Sequence, residues 1–216
     1  MTTFRTASLA LSLILAAATA SFAQMNFSAN LTHSQETMQG VFMTSGGQPR
    51  PMSFGNANFV LSADMSQLTM TVTFFNMDIN GMQTPGDTND NLGAAHIHAN
   101  ATVVVGMNAP VVWGFFGMPD NDNAPDQLVV TPFANGVGGT ISSIWDMSEG
   151  QNTTLTAHLN NIMTGHAYIN LHTGQFGAGE IRGALVPEPS TTALLGAGIL
   201  AAAGAAWRRR GRNTKR

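Results

Sequence analysis

The sequence contains no cysteine among its 216 residues. This absence excludes thiol catalysis, disulfide cross-links, and zinc or iron–sulfur sites with thiolate ligands. A domain without disulfides must be stabilised by its core alone. A chain of about 160 residues can do this, because it buries roughly two-thirds of the surface that its unfolded form exposes.

Basic residues are nearly absent from the middle of the chain. Between Gln24 and Val186 only Arg50 and Arg182 are basic, against eleven acidic residues, which gives this region a formal net charge of −9. A surface so poor in lysine and arginine cannot displace counterions from phosphates, so we expect no nucleic-acid partner. Such a charge suits a soluble extracellular surface, or a surface surrounded by divalent cations.

Recognisable catalytic motifs are also missing. The sequence has no Ser-His-Asp nucleophile motif, no P-loop and no dinucleotide fingerprint. The residues therefore identify no catalytic group.

Alternating apolar and polar residues predict an all-β domain over residues 24–186. Residues 56–75 are typical of a β-hairpin around a polar turn at Asp64–Gln67. Helical spacing occurs in this region only at Thr153–Met163. Many short strands separated by turn signals indicate an antiparallel Greek-key or immunoglobulin-like β-sandwich.

Both ends of the chain have features of targeting segments. Residues 1–23 combine a basic residue, an apolar run and the small residues Ser21 and Ala23, which predicts a secretory signal peptide cleaved before Gln24. Residues 193–207 form a second apolar run at the short end for crossing a bilayer, and the arginines after it would stay cytoplasmic. The middle of the chain would then lie outside the inner membrane.

Histidines are concentrated in two predicted strands. His96 and His98 lie two residues apart, so they share one face of a strand and can present both imidazoles to one ion of zinc or copper. His172 and His166 could complete the set if the closing strand lies beside the first. The alternative is hydrogen bonding across strands, without a metal, to polar neighbours: Tyr168, Asn170, Thr173 and Glu180.

Glu180 and Arg182 share a face of the last predicted strand. Because Arg182 is one of only two basic residues in the region, we expect it to have a specific partner, either Glu180 or a backbone carbonyl. A structural ion pair is the simpler interpretation, and an acid–base pair or a ligand carboxylate is the alternative.

The remaining polar candidates are expected at the surface. Asp120, Asp122 and Asp126 are spaced as in a calcium loop, but the glycine and the closing glutamate of an EF-hand are missing. We expect a solvated acidic loop, with surface calcium as the alternative. His33 and His158 are also expected to be solvent-exposed.

Two motifs carry a family resemblance. The first is AHIH at residues 95–98, and the second is a closing pattern made of YINLHT at residues 168–173 followed by GEIRGAL at residues 179–185. In this order they resemble the hallmarks of the CHRD domain, a module that is repeated in chordin and found singly in many exported bacterial proteins. The resemblance extends from about Phe27 to Leu185 and implies no established enzymatic activity. Its motif positions are Tyr168, Asn170, Thr173, Glu180, Arg182 and Gly183.

The tail, residues 187–216, resembles a PEP-CTERM sorting signal. Its parts follow in the expected order: Pro187, Glu188 and Pro189, then the apolar run, then Arg208, Arg209 and Arg210. The resemblance implies recognition by an exosortase and delivery to the cell surface or extracellular matrix of a Gram-negative bacterium. The tail would anchor the protein transiently in the inner membrane before processing.

Together these features favour a non-enzymatic surface or matrix module that binds another protein or an exopolysaccharide. The alternative is a protein that binds zinc or copper at His96, His98 and His172, superoxide-dismutase-like by analogy with a His-x-His strand in a Greek-key sandwich. A metal site requires the ring nitrogens to converge on a point about 2.0–2.1 Å from each of them. A binding module requires an exposed surface instead.

Overall fold

The computed structural model describes residues 24–123 and 125–189, and within them the chain is built mainly from β-strands. The predicted signal peptide (residues 1–23), the apolar run and the arginines of the tail lie outside these residues. The strands of the described residues are β1 (Met25–Thr32), β2 (Phe54–Leu61), β3 (Gln67–Phe75), β4 (Leu92–Ala99), β5 (Val111–Phe116), β6 (Val129–Pro132), β7 (Gly138–Asp146), β8 (Ala167–Thr173), β9 (Ile181–Ala184) and β10 (Val186–Pro187).

The strands join in one antiparallel sheet with the order β5-β4-β8-β9-β1-β2-β3-β7-β6, and β10 also pairs with β1. The predicted hairpin is present as β2 and β3, which pair from Phe54 opposite Phe75 to Leu61 opposite Leu68. The link between the two halves of the sheet is narrow, because β1 and β9 share only the pair of Thr32 and Arg182.

The sheet curls until its two ends meet. Trp113 lies on the edge strand β5, and Trp145 lies on β7, next to the opposite edge. Their rings nevertheless stack in the core, with centroids 5.5 Å apart and planes inclined by 5°. The predicted all-β sandwich is therefore confirmed, and its two layers are halves of one continuous sheet.

Alternating residues of the central strands fill the core between the layers. Because successive side chains of a strand point to opposite faces, one set of alternating apolar residues points inwards, whereas Phe54, Val60 and Phe75 point outwards. Each large apolar side chain contributes roughly 1.5–3 kcal/mol on complete burial. The fully buried side chains of β1, β2 and β3 include Phe27, Leu31, Phe59, Leu61, Met70 and Phe74.

The helix α1 (Leu155–Met163) lies where helical spacing predicted it. The Thr154 side chain accepts a hydrogen bond from the backbone N–H of Ala157 and caps its first turn, while Leu155 and Ile162 are buried. Across the described ranges, no helix is long and apolar enough to cross a bilayer.

Glu180 is a fully buried carboxylate at the centre of a polar network. The two terminal nitrogens of Arg50 donate to its oxygens at 3.0 and 2.6 Å. The hydroxyls of Ser53 and Thr173 also donate to this carboxylate. The charge of Glu180 is thus compensated by an arginine that lies 130 residues away in the sequence.

Arg182 has a different carboxylate partner from the one that the sequence predicted. It donates to the backbone carbonyl of Met107 at 3.0 Å, which agrees with the prediction, but its ion pair is with Glu36 rather than Glu180. The reason is that Arg50 already occupies Glu180, while the turn after β1 brings Glu36 to Arg182. Burial raises the pKa of Glu36, against the opposing effect of the Arg182 hydrogen bond.

Both arginines of the described residues are therefore buried in ion pairs, with side-chain exposures of 4% and 3%. The sequence has no lysine between residues 24 and 189. Consequently the surface of the described residues presents acidic groups and no basic side chain.

Two expectations about surface residues are wrong. His33 is buried, accepts a hydrogen bond from Gly40 N through Nε2 and packs against the Phe42 ring, because the turn after β1 folds it under the following loop. Asp122 is also buried, bonded to the Ser143 hydroxyl, whereas Asp120 and Asp126 are exposed as expected. His158 is half-buried on α1.

Candidate metal centre

Strands β4 and β8 bring the histidines of the two motifs onto one face of the sheet. The strands are adjacent and antiparallel, with His98 opposite Tyr168, His96 opposite Asn170 and Ala94 opposite His172. Since residues two apart share a face, His96, His98 and His172 lie side by side. The condition that the sequence left open, proximity of the closing strand, is therefore met.

One ring nitrogen of each of the three histidines lies within 4.8 Å of the others. His96 Nδ1 and His172 Nε2 are only 3.2 Å apart. Two nitrogen ligands about 2.0–2.1 Å from one tetrahedral zinc ion would be ~3.3 Å apart. This pair therefore already has the spacing of two ligands of one ion.

The opposite nitrogen of every ring is bound to a backbone carbonyl. His96 Nε2 lies 2.9 Å from Met118 O, His98 Nδ1 lies 2.8 Å from Ala109 O, and His172 Nδ1 lies 3.1 Å from Gly177 O. A carbonyl oxygen can only accept, so each of these nitrogens carries the proton in the neutral ring.

It follows that the inward nitrogens of the three rings are lone-pair acceptors. His96 Nδ1 and His172 Nε2 then face each other at 3.2 Å without a proton between them. His98 Nε2 is buried and has no hydrogen-bond partner. Metal-bound histidines show this arrangement, in which the N–H away from the metal donates to a carbonyl and fixes the orientation of the ring.

Burial keeps the three imidazoles neutral. It lowers the pKa of His96, and it lowers the pKa of His98 and of His172 to about 4. Protonation therefore does not supply a positive charge between the rings near neutral pH. Neutral imidazole is the form that binds zinc and copper.

Tyr168 holds His98 in this orientation. Their rings stack with centroids 4.8 Å apart and planes inclined by 4°. The Tyr168 hydroxyl accepts a hydrogen bond of 3.1 Å from Ala109 N, and Ala109 O accepts the N–H of His98. On the Tyr168 ring lies the guanidinium of Arg182, with its central carbon 4.6 Å from the ring centroid.

Gly114 on β5 allows the segment that binds His96 to approach. A Cβ atom at this position would lie 1.8 Å from Pro119 O and 3.2 Å from Cδ2 of His96. A side chain would therefore displace the segment that supplies the Met118 carbonyl.

The other motif residues make structural contacts and do not contribute a ring nitrogen to the histidine cluster. His166 lies apart from the cluster and bonds Val103 O through Nδ1. Thr173 donates to Glu180 rather than to a histidine, and Asn170 is buried beside Gly179. Gly183 packs closely on β1, because a Cβ there would lie 2.6 Å from Asn30 O.

Sequence reasoning missed two parts of this region. The carbonyls of Met118, Ala109 and Gly177 are backbone atoms, which no residue pattern reveals. Glu36 was missed because its partner Arg182 lies 146 residues away. The scarcity of arginine was the one signal that a buried acidic partner had to exist.

Comparisons with known protein families agree with this architecture. A family model described as CHRD domain matches residues 27–185, and a model described as PEP-CTERM protein-sorting motif matches residues 185–210. No curated protein gives a significant match, and neither does any solved structure.

Proposed function

The chain belongs to the CHRD domain family and carries a PEP-CTERM protein-sorting motif, and from that premise we propose that it binds a transition-metal ion at its histidine cluster. The sorting motif marks an exported module that an exosortase directs to the cell surface of a Gram-negative bacterium. The signal peptide, residence in the extracellular matrix and transient membrane anchoring are further parts of the proposal.

One observation carries the metal proposal: three imidazole lone pairs converge while each ring donates its only N–H to a carbonyl. Two lone pairs 3.2 Å apart repel each other, and a bound cation removes that repulsion. Three nitrogen donors suit zinc or copper, the two metals that the sequence suggested. A dismutase activity is a separate question, to be assayed once metal has been found.

The test uses the whole chain, expressed in a Gram-negative host, purified from the envelope and treated with a chelator. The protein is dialysed against zinc or copper and then against buffer, and its metal content is measured by mass spectrometry. We expect about one ion per chain. The double variant His98→Gln/His172→Gln should retain none and should remain folded by circular dichroism.

The variant His158→Gln is the matched control, since it removes a half-buried histidine outside the cluster. It should bind metal like the original protein. A folded original protein that retains neither metal would overturn the proposal. Equal retention by the double variant would also overturn it.

A second candidate function, binding of a polysaccharide, is favoured by one surface. We define the neutral face as the outward side of β1, β2, β3 and β7. Its only ionisable side chain is Asp146 at the end of β7, whose carboxylate accepts hydrogen bonds from Gln67 and Gln127. The rest is neutral: Asn26, Ser28, Asn30, Thr32, Phe54, Asn56, Asn58, Val60, Gln67, Thr69, Thr71, Thr73, Phe75, Thr140, Ser142 and Ile144.

The composition of the neutral face fits an uncharged polysaccharide better than a charged one. Its hydroxyls and amides both donate and accept, as sugar hydroxyls do, and Phe54 and Phe75 provide a stacked apolar pair that is 51% and 37% exposed. An acidic polysaccharide would meet no exposed basic side chain in the described residues. Another surface protein as the partner is an outcome of the test.

Affinity electrophoresis of the whole chain in gels with a neutral glucan or with alginate tests this candidate. We expect the glucan alone to retard the protein, and Thr71→Lys and Phe54→Ser to abolish the retardation. Met82→Thr, a change at an exposed residue outside the neutral face, is the control. Retardation by alginate alone, or undiminished retardation of both variants, would rule the candidate out.

A further inference from the structure

The histidine cluster is a metal site without a negative charge of its own. In the described residues the group consists of three histidines, and no carboxylate belongs to it. Every ring is held by a neutral backbone carbonyl rather than by an acidic side chain. A bound ion would thus keep its full charge.

A positively charged side chain packs on the ring that stacks against His98. The central guanidinium carbon of Arg182 lies 4.6 Å from the centroid of the Tyr168 ring, and that ring stacks on His98 with centroids 4.8 Å apart. The carboxylate of Glu36 is engaged by the Arg182 guanidinium, so this ion pair does not supply free negative charge to the cluster. These immediate neighbours therefore supply the cluster with no net negative charge that would compensate a divalent ion.

The surroundings of the rings are also largely desolvated. His96 is 5% exposed and His98 is 8% exposed, and the surface opens mainly at His172. The free energy of transferring an ion out of water rises with the square of its charge, so a divalent ion is penalised about four times as strongly as a monovalent one. Among the metals that imidazole binds well, only copper is available as a monovalent ion.

We infer, on the basis of the proposed metal function, that the cluster of His96, His98 and His172 selects the cuprous ion over zinc and over the cupric ion. The three converging nitrogens provide a low coordination number, and the site brings neither thiolate nor carboxylate. Charge, rather than ligand softness, makes the selection.

Competition titrations measure this selectivity directly. The whole chain, purified and freed of metal, is titrated with Cu(I) under anaerobic reducing conditions against a chromophoric Cu(I) chelator, and with Zn(II) and Cu(II) against chelators of known affinity. We expect the Kd for Cu(I) to be at least about 100-fold lower than the Kd for Zn(II). A Kd for Zn(II) or Cu(II) equal to or lower than that for Cu(I) would overturn the inference and leave the proposed function standing. Binding of none of the three ions would overturn both.

A carboxylate added beside the cluster tests the physical reason. Ala94 is half-buried, lies opposite His172 across β4 and β8, and shares its face with His96. Ala94→Asp should reduce the preference for Cu(I) over Zn(II) by about tenfold or more, because the added charge compensates a divalent ion. Ala94→Asn is the isosteric neutral control and should keep the preference. Equal ratios in the two variants would contradict the charge argument.

Discussion

The ring of His98 lies parallel to the ring of Tyr168, with centroids 4.8 Å apart and an angle of 4° between the planes. The same tyrosine fixes the acceptor of the histidine, because its hydroxyl binds Ala109 N while Ala109 O binds His98 Nδ1. Tyr168 thus sets both the plane of the imidazole and the direction in which Nε2 points. A variant that removes the Tyr168 hydroxyl and keeps the ring therefore separates the effect of the hydrogen bond to Ala109 N from the effect of the stack.

Tyr168→Phe should weaken metal binding without removing it. The variant keeps the stacked ring and loses the hydroxyl that positions Ala109, and loss of such an outer contact typically lowers metal affinity about 10- to 100-fold. The Kd from chelator competition checks this. A Kd equal to that of the original protein would mean that the Ala109 carbonyl is positioned by other contacts.

Gly114→Ala should weaken metal binding at the cluster, although the substitution adds only one methyl group. The added Cβ would lie 1.8 Å from Pro119 O, so the segment that carries the Met118 carbonyl must move away from His96. We expect at least a tenfold rise in the metal Kd, of the order seen when an outer contact of a ligand is lost. Gly86→Ala, where a Cβ meets nothing within 4 Å, is the control. Equal affinities of the two variants would contradict the prediction.

Glu180→Gln should destabilise the fold by about 3–5 kcal/mol, because it leaves the buried Arg50 without its counter-charge. Denaturant unfolding monitored by tryptophan fluorescence measures this change in the free energy of unfolding. The exposed Asp120→Asn should leave stability nearly unchanged. If Glu180→Gln also left the free energy of unfolding nearly unchanged, the ion pair of Arg50 and Glu180 would not stabilise the packing of the β1–β2 loop on the sheet.

The stability of the metal-free protein should fall as the pH is lowered from about 6.5 towards 4. Burial lowers the pKa of His98 and His172 from 6.5 to about 4 in the folded state, so the unfolded state binds more protons in this window. Each histidine then removes up to about 1.4 kcal/mol per pH unit. Below pH 4 both histidines are protonated in the folded and the unfolded state, so their contribution to the free energy of unfolding no longer changes with pH.

Denaturant unfolding at pH 7, 6 and 5 in the presence of a chelator measures this slope. The double variant His98→Gln/His172→Gln carries all the other titrating groups, so subtracting its slope isolates the two histidines. Identical slopes for the two proteins would contradict the assignment of neutral rings to the folded state.

Two local features could be predicted from the sequence: the hairpin of β2 and β3, and the shared face of His96 and His98. Strict alternation in β2 and β3 predicted their hairpin, and the spacing of His96 and His98 placed both rings on one face. These features depend on neighbouring residues alone, which is why they could be read from the sequence.

The rest depends on contacts between distant segments. That His172 and not His166 joins the cluster is decided by the register of β8 against β4. The partners of Glu180 and Arg182 depend on how the loop between β1 and β2 folds, because that one loop carries both Arg50 and Glu36. Curling of a single sheet, recorded by the stacking of Trp113 on Trp145, is likewise invisible in strand-by-strand patterns.

The most direct test of the central claim is a crystal structure of the metal-loaded protein with anomalous diffraction measured at the absorption edge of the metal. We predict one ion bound by His96 Nδ1, His98 Nε2 and His172 Nε2, each about 2.0–2.1 Å away, with the carbonyl contacts of all three rings retained. An ion bound elsewhere would contradict the account. So would rings that have rotated away from the Met118, Ala109 and Gly177 carbonyls.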